Sequence, residues 1–139
     1  MKPVSGMSEA VDMQAEESYY CQRMPDFKIE TAIQGSLQII RTTGYLDDAG
    51  GKVLKETCEK LIGEGKAKFV FNLAGTPVIN STGLSMLLDM MVRIIDYNDG
   101  QVAICGLSKL TRTALQMTGV LTLAKEFTGE AEAIAGLGA

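Results

Sequence analysis

Phe69-Val70-Phe71-Asn72-Leu73 is a compact, mostly apolar run with a helix-like pattern on either side of it. A short run of this kind, with little polar alternation, fits a strand covered on both faces at the buried centre of a sheet. A strand entered from one helix and left through another joins its neighbours by crossovers, which makes those neighbours parallel.

The rest of the chain extends this scheme. Phe27, Ile29, Thr31 and Ile33 alternate with polar residues and read as a half-buried strand. Gln34-Gly35-Ser36 supplies a turn, and Leu37, Ile39 and Ile40 begin a second strand, so the pair reads as a hairpin that ends at Gly44. Asp47 and Asp48 stand at a helix start, where carboxylates are favourable. Val53, Leu54, Cys58, Leu61 and Ile62 follow at helical spacing as far as Gly63-Glu64-Gly65. After the central run, residues 74–81 form a loop and the helix after Ser81 runs to about Tyr97, stopped by Asn98-Asp99-Gly100. Gln101 to Cys105 make a further strand, and Ser108 caps a helix containing Leu110, Ala114, Leu115 and Met117 that ends at Gly119. A short strand near residues 124–127 and a short helix after Gly129 close the chain. The order β-β-α-β-α-β-α-β-α predicts one α/β domain over residues 26–139, a mixed and mostly parallel sheet of about five strands with helices packed on it. Residues 1–25 show no sustained period, although Val11, Met13, Tyr19 and Tyr20 would suit a short helix or an added edge segment; they read as a partly ordered N-terminal extension.

Composition narrows the function. A net charge of −4 argues against nucleic acid or an anionic membrane as the main partner. There is no apolar run of about 18 residues to span a membrane, and the N-terminus lacks the apolar centre of a signal peptide, so the chain is expected in the cytoplasm. Cys21, Cys58 and Cys105 are odd in number, far apart and set among apolar neighbours. They read as buried small hydrophobes and not as a disulfide framework or a zinc site. The chain has no histidine, which removes the commonest general base and the commonest metal ligand. Gly50-Gly51-Lys52 resembles a phosphate loop, but Val53 follows where Ser or Thr is required, and the earlier glycine is missing. No enzyme activity, cofactor or metal is expected.

The informative stretch is Val78-Ile79-Asn80-Ser81-Thr82-Gly83-Leu84. A hydroxyl-rich turn opening a helix sets Ser81 where free N–H groups and the positive end of the helix dipole converge, a place for a phosphate or for an ordinary N-cap. Along the helix, Leu84, Leu87, Leu88, Met91, Ile94 and Ile95 share a core face, and Ser85, Asp89 and Arg93 share the wet side. Met86, Met90 and Tyr97 fall on the flank between them. That flank is either a partner-binding surface or a contact with a neighbouring helix.

From Phe27 to Ile134 the chain resembles the STAS domain of bacterial anti-sigma factor antagonists. Gly44-Tyr45-Leu46-Asp47 is similar to that family's G-x-L-D. Asn72-Leu73-Ala74-Gly75 and Val78-Ile79-Asn80-Ser81-Thr82-Gly83-Leu84 are similar to its D-L-S-G…[IV]-D-S-[ST]-G-L signature. Gly106-Leu107-Ser108 with Leu115 and Thr118-Gly119-Val120 is similar to its third segment. Two positions depart from the pattern: Asn72 and Asn80 stand where the family has Asp. The resemblance implies a phosphorylation site at Ser81 in a loop with Asn80, Thr82 and Gly83, and a partner surface that includes Gly44, Asp47, Met86 and Met90. It implies a partner that is both an anti-sigma factor and a serine kinase with a histidine-kinase-like ATPase fold, and a PP2C-type phosphatase that restores the serine. Two other functions remain open on the residues: a constitutive scaffold or sensor subunit, and a small-molecule or nucleotide-binding domain.

Overall fold

The sheet begins with the expected hairpin. The computed structural model describes residues 26–97 and 99–138; the N-terminal extension with Val11, Met13, Tyr19, Tyr20 and Cys21 lies outside the described residues, as do Asn98 and the side chain of Tyr97. Strands β1 (Lys28–Gln34) and β2 (Leu37–Thr43) pair antiparallel, with Gln34 opposite Leu37, so Gly35 and Ser36 make a two-residue turn. Helix α1 (Asp48–Gly63) then crosses to β3 (Lys68–Gly75). Helix α2 (Ser81–Val92), prolonged by a π-helical turn (Arg93–Tyr97), crosses to β4 (Gln101–Cys105). Helix α3 (Lys109–Thr118) and a 3-10 turn (Val120–Thr122) lead to β5 (Lys125–Phe127), and α4 (Glu130–Leu137) follows. The sheet order is β1-β2-β3-β4-β5, and every pair after the hairpin is parallel. This is the mixed five-stranded α/β arrangement that the periodicities predict.

The central strand is apolar because both its faces are covered. Phe69, Phe71 and Leu73 join Ile40, Val102 and Ile104 beneath Leu54, Cys58, Leu87, Met91 and Leu115 of α1, α2 and α3. On the other face Val70 joins Leu37, Ile39, Ala103 and Cys105 beneath Ala133 and Leu137 of α4. β1 is different. Ile29 packs on the core, but Thr31 is exposed and Ile33 is 69% exposed, so the expected half-buried alternation fades along the strand. The helix cover reaches only its first residues, where Phe27 lies against Gly50 of α1.

Asn72 interrupts the apolar run for a reason visible on the α4 face. Arg41 of β2 donates from Nε and Nη2 to the two carboxylate oxygens of Glu130, both at 2.8 Å, and Asn72 Nδ2 donates to Oε1 at 3.0 Å. Arg41 and Asn72 are register partners on adjacent strands, so the clamp spans two strands and the first residue of α4. An eight-residue helix is marginal in isolation, and this clamp plus the Ala133 and Leu137 contacts hold it. The hydrogen bond from Arg41 keeps the Glu130 carboxyl below its usual range, against the opposing pull of burial. The resulting stabilisation is complete above the unfolded carboxylate pKa of about 4.3 and is lost as pH falls through the lower folded value. Unfolding free energy measured below about pH 4.5 should therefore fall more steeply for the wild type than for Glu130→Gln; parallel curves would show that the clamp contributes nothing.

Candidate functional site

Because β2, β3 and β4 run parallel, the starts of α1, α2 and α3 line up along one edge, beyond the carboxyl ends of the strands. Each start is capped by its own side chain. Asp47 Oδ1 accepts from Gly50 N at 2.8 Å, Asn80 Oδ1 from Gly83 N at 2.8 Å, and Ser108 Oγ from Thr111 N at 3.1 Å. The loops are also tied to one another. Gly44 N donates to Gly75 O at 2.9 Å, Leu46 N to Val78 O at 3.2 Å, and Asn80 N to Leu46 O at 3.0 Å. Ser108 Oγ donates to Pro77 O at 3.0 Å. The three motif segments of the sequence thus form one hydrogen-bonded edge.

Two glycines are required by this geometry. Gly44 turns the chain out of β2 with φ of 91°, a left-handed conformation that side chains rarely adopt. Gly83 lets α2 approach the backbone of Leu46, since a Cβ there would collide with the Leu46 carbonyl oxygen.

The cap of α2 is Asn80, so of the two readings left open for Ser81 the N-cap is not the one adopted. Asn80 has extended backbone angles (φ −92°, ψ 175°), whereas Ser81 is already the first helical residue. A capping side chain must sit on the extended residue just before the helix to reach the N–H three positions on, so the Ser81 hydroxyl has no such duty. Ser81 and Thr82 are both exposed. The helix's own geometry leaves the first N–H groups without intrahelical acceptors; Asn80 takes that of Gly83, and those of Ser81 and Thr82 remain for an external acceptor. The first turn of α2 carries no acidic residue. Charge arrives from the neighbouring helix instead: Asn80 Nδ2 donates to Asp48 Oδ1 at 3.0 Å. No local pattern announces this contact, because 32 residues separate the partners and Asp48 reads only as a helix-start acid.

Of the two readings of the methionine flank, the contact with a neighbouring helix is the one adopted. Met90 is fully buried and Met86 is half-buried, its Sδ against Gly51 of α1. Glycine at 51 lets α1 and α2 lie close, and the flank between core and solvent becomes their joint. Gly44 is likewise buried and presents no surface. Asp47 is half-buried and, besides capping, lines a cleft of about 190 Å³ with Phe27, Tyr45 and Val53. Burial raises the Cys58 thiol to about 12 and the Cys105 thiol to about 11, with Glu59 and Glu130 adding to the effect. Both are core residues and poor nucleophiles. Among the described residues there is no cluster of three or more potential metal ligands, and no helix is long and apolar enough to cross a membrane.

The architecture and this edge define a class: a single α/β domain whose helix starts present an exposed hydroxyl beside a polar inter-helix contact. The family model of the STAS domain matches residues 28–133, and the chain belongs to that family. No curated protein matches the sequence. Among solved structures, an anti-sigma factor antagonist from Mycobacterium paratuberculosis is similar with a TM-score of 0.70 at 14% identity, over 80% of this chain and 93% of that one. The Bacillus cell fate determinant SpoIIAA in its phosphorylated form is similar with a TM-score of 0.65 at 22% identity, over 81% of this chain and 99% of that one. A sulfate transporter family protein from Wolinella succinogenes has a TM-score of 0.65 at 20% identity, over 76% of this chain and 87% of that one. At these identities the likeness is one of fold.

Two measurements check the site's frame. Met90→Ala should lower the unfolding free energy by about 2–5 kcal/mol, the range for a buried large-to-small change, as read from urea denaturation; a loss near zero would return Met90 to the surface. Asn80→Asp should cost about 1 kcal/mol by setting a second carboxylate against Asp48. Adding Asp48→Asn should restore most of that loss, and a strictly additive double-mutant cycle would remove the contact from the account.

Proposed function

We propose that the chain is a phosphorylation-controlled interaction module of the anti-sigma factor antagonist kind. In this reading it binds an anti-sigma factor that is also a serine kinase with a histidine-kinase-like ATPase fold, phosphorylation of Ser81 breaks the complex, and a PP2C-type phosphatase restores it. Such a module works in the cytoplasm and is not an enzyme. The observation that supports it best is the separation of duties at the start of α2: Asn80 caps the helix, and Ser81, one residue later, keeps an exposed hydroxyl.

The physical chemistry is favourable. A phosphoryl group adds about −1.5 to −2 charges and three strong acceptors. At the first helical position it meets the unpaired N–H groups of Ser81 and Thr82 and the positive end of the dipole, so the folded domain tolerates it. The cap bond from Gly83 N to Asn80 is left in place. A partner seated over Ser81, Thr82 and Asp47 meets the added bulk and charge directly. The similarity to SpoIIAA, a protein with both unphosphorylated and phosphorylated structures, is consistent with this.

The amide at Asn80, where the family has a carboxylate, favours a second reading: a constitutive STAS scaffold or sensor subunit that keeps the fold without the switch. One experiment separates the two. After incubation with its cognate kinase and ATP, the protein should carry phosphate at Ser81 by mass spectrometry, and Ser81→Asp should weaken capture of the partner by about tenfold or more, equivalent to ~1.4 kcal/mol. Phosphate on another residue, or a complex indifferent to Ser81→Asp, would favour the scaffold.

A further inference from the structure

The start of α2 is joined to α1 by one side chain from each helix. Asn80 uses both ends of its amide: Oδ1 accepts from Gly83 N at 2.8 Å, and Nδ2 donates to Asp48 Oδ1 at 3.0 Å. The sense of that amide is fixed, because Gly83 N needs an acceptor and Asp48 needs a donor. Asp48 is the first residue of α1 and is exposed, and its carboxylate is bonded to the residue immediately before Ser81.

We propose that Asp48 is the positioning residue through which a phosphoryl group on Ser81 acts on α1. This rests on the reading of Ser81 as phosphoacceptor. The added group stands on the residue next to Asn80, whose Nδ2 lies 3.0 Å from the Asp48 carboxylate, so salt screening does not remove its field there. Two effects then work against the Asp48–Asn80 bond. The phosphate repels the Asp48 carboxylate, and its three oxygens compete for the Asn80 Nδ2 donor. Repulsion at that range in a partly solvated site is comparable with the net worth of an exposed hydrogen bond. The modification therefore releases Asp48 and loosens the polar joint between the two helix starts, while the cap at Gly83 and the Leu46 backbone ties hold. The surface a partner loses includes the first turn of α1 as well as Ser81.

The test uses full-length protein with phosphoserine placed at position 81 during translation, so that no kinase is needed. Asp48→Asn keeps an acceptor for Asn80 but removes the charge, and Asp48→Ala removes both. In the wild type, phosphoserine should shift the Asn80 side-chain amide resonances and the backbone amides of residues 48–51. The change in Tm caused by phosphoserine should be less favourable in the wild type than in Asp48→Asn by about 3 °C, the shift a contact of this strength gives in a domain of this size. Glu56→Gln, two turns along α1 and exposed, should behave as wild type. An identical Tm response in wild type and Asp48→Asn, or unmoved α1 amides, would overturn the proposal. The switch reading is tested apart from it, by whether the kinase-treated wild type carries phosphate at Ser81.

Discussion

The edge that carries Ser81 depends on Leu46. This residue is fully buried, and its backbone is bonded on both sides to the loop before α2, its N–H to Val78 O and its carbonyl to Asn80 N. The two residues of ladder lie outside the main strands. They fix where α2 begins relative to α1, and from that several features follow. α2 comes so near that only glycine fits at 83. Asn80 is pulled into the extended conformation that makes it the cap. Ser81 becomes the first helical residue and faces outward. Had the loop been free to slide by one residue, Ser81 would have been the cap and its hydroxyl would have been engaged.

Asn72 and Asn80 are the two positions where the chain departs from its family's aspartates, and the structure treats them alike. Each donates its side-chain N–H to a carboxylate on another element, Asn72 to Glu130 and Asn80 to Asp48. Each also uses its oxygen on a nearby backbone N–H, that of Ala74 at 3.0 Å and that of Gly83 at 2.8 Å. An aspartate would keep the second bond and turn the first into a repulsion between like charges. The amides are thus matched to Glu130 and Asp48, and the negative charge stands on the neighbouring helix. In isolation, Asn80 looks like a lost charge beside the proposed phosphosite; with Asp48, the charge stands on α1 instead.

What the sequence reveals and conceals divides along a physical line. The elements were legible because periodicity reports which face of a strand or helix is covered: 69–73 as a central strand, and Leu87 and Met91 of α2 with Ile94 of its π-helical extension as core. The hairpin was legible from the turn residues Gln34-Gly35-Ser36, of which Gln34 proves to be the last residue of β1. Facts that depend on how two elements approach were not legible. Met86 is half-buried because α1 comes close at Gly51, and Met90 joins the core cluster beside Leu54 and Cys58; a helical wheel contains no neighbour. Ile33 is exposed because its strand is an edge with partial cover, which alternation alone does not show. Which residue caps α2 was not legible, because Asn, Ser and Thr in succession are all good caps, and the choice among them is made by the Leu46 ties. The Asp48 and Glu130 contacts link distant segments, so no local pattern announces them.

The one-residue offset between cap and hydroxyl has an energetic consequence. A cap side chain is worth about 1 kcal/mol, and its loss weakens the first turn. If one residue had to cap the helix and also accept a phosphoryl group, modification would put that contribution at risk, and binding and folding would be coupled. Here Asn80 holds the cap and the backbone of Leu46 holds the loop, so the proposed phosphorylation of Ser81 would add nearly two charges with both intact. Under the same proposal the cost of the charge falls on the weaker polar contact nearby, at Asp48. A domain with a stability of only about 5–15 kcal/mol can then alternate between two surfaces without alternating between folded and unfolded.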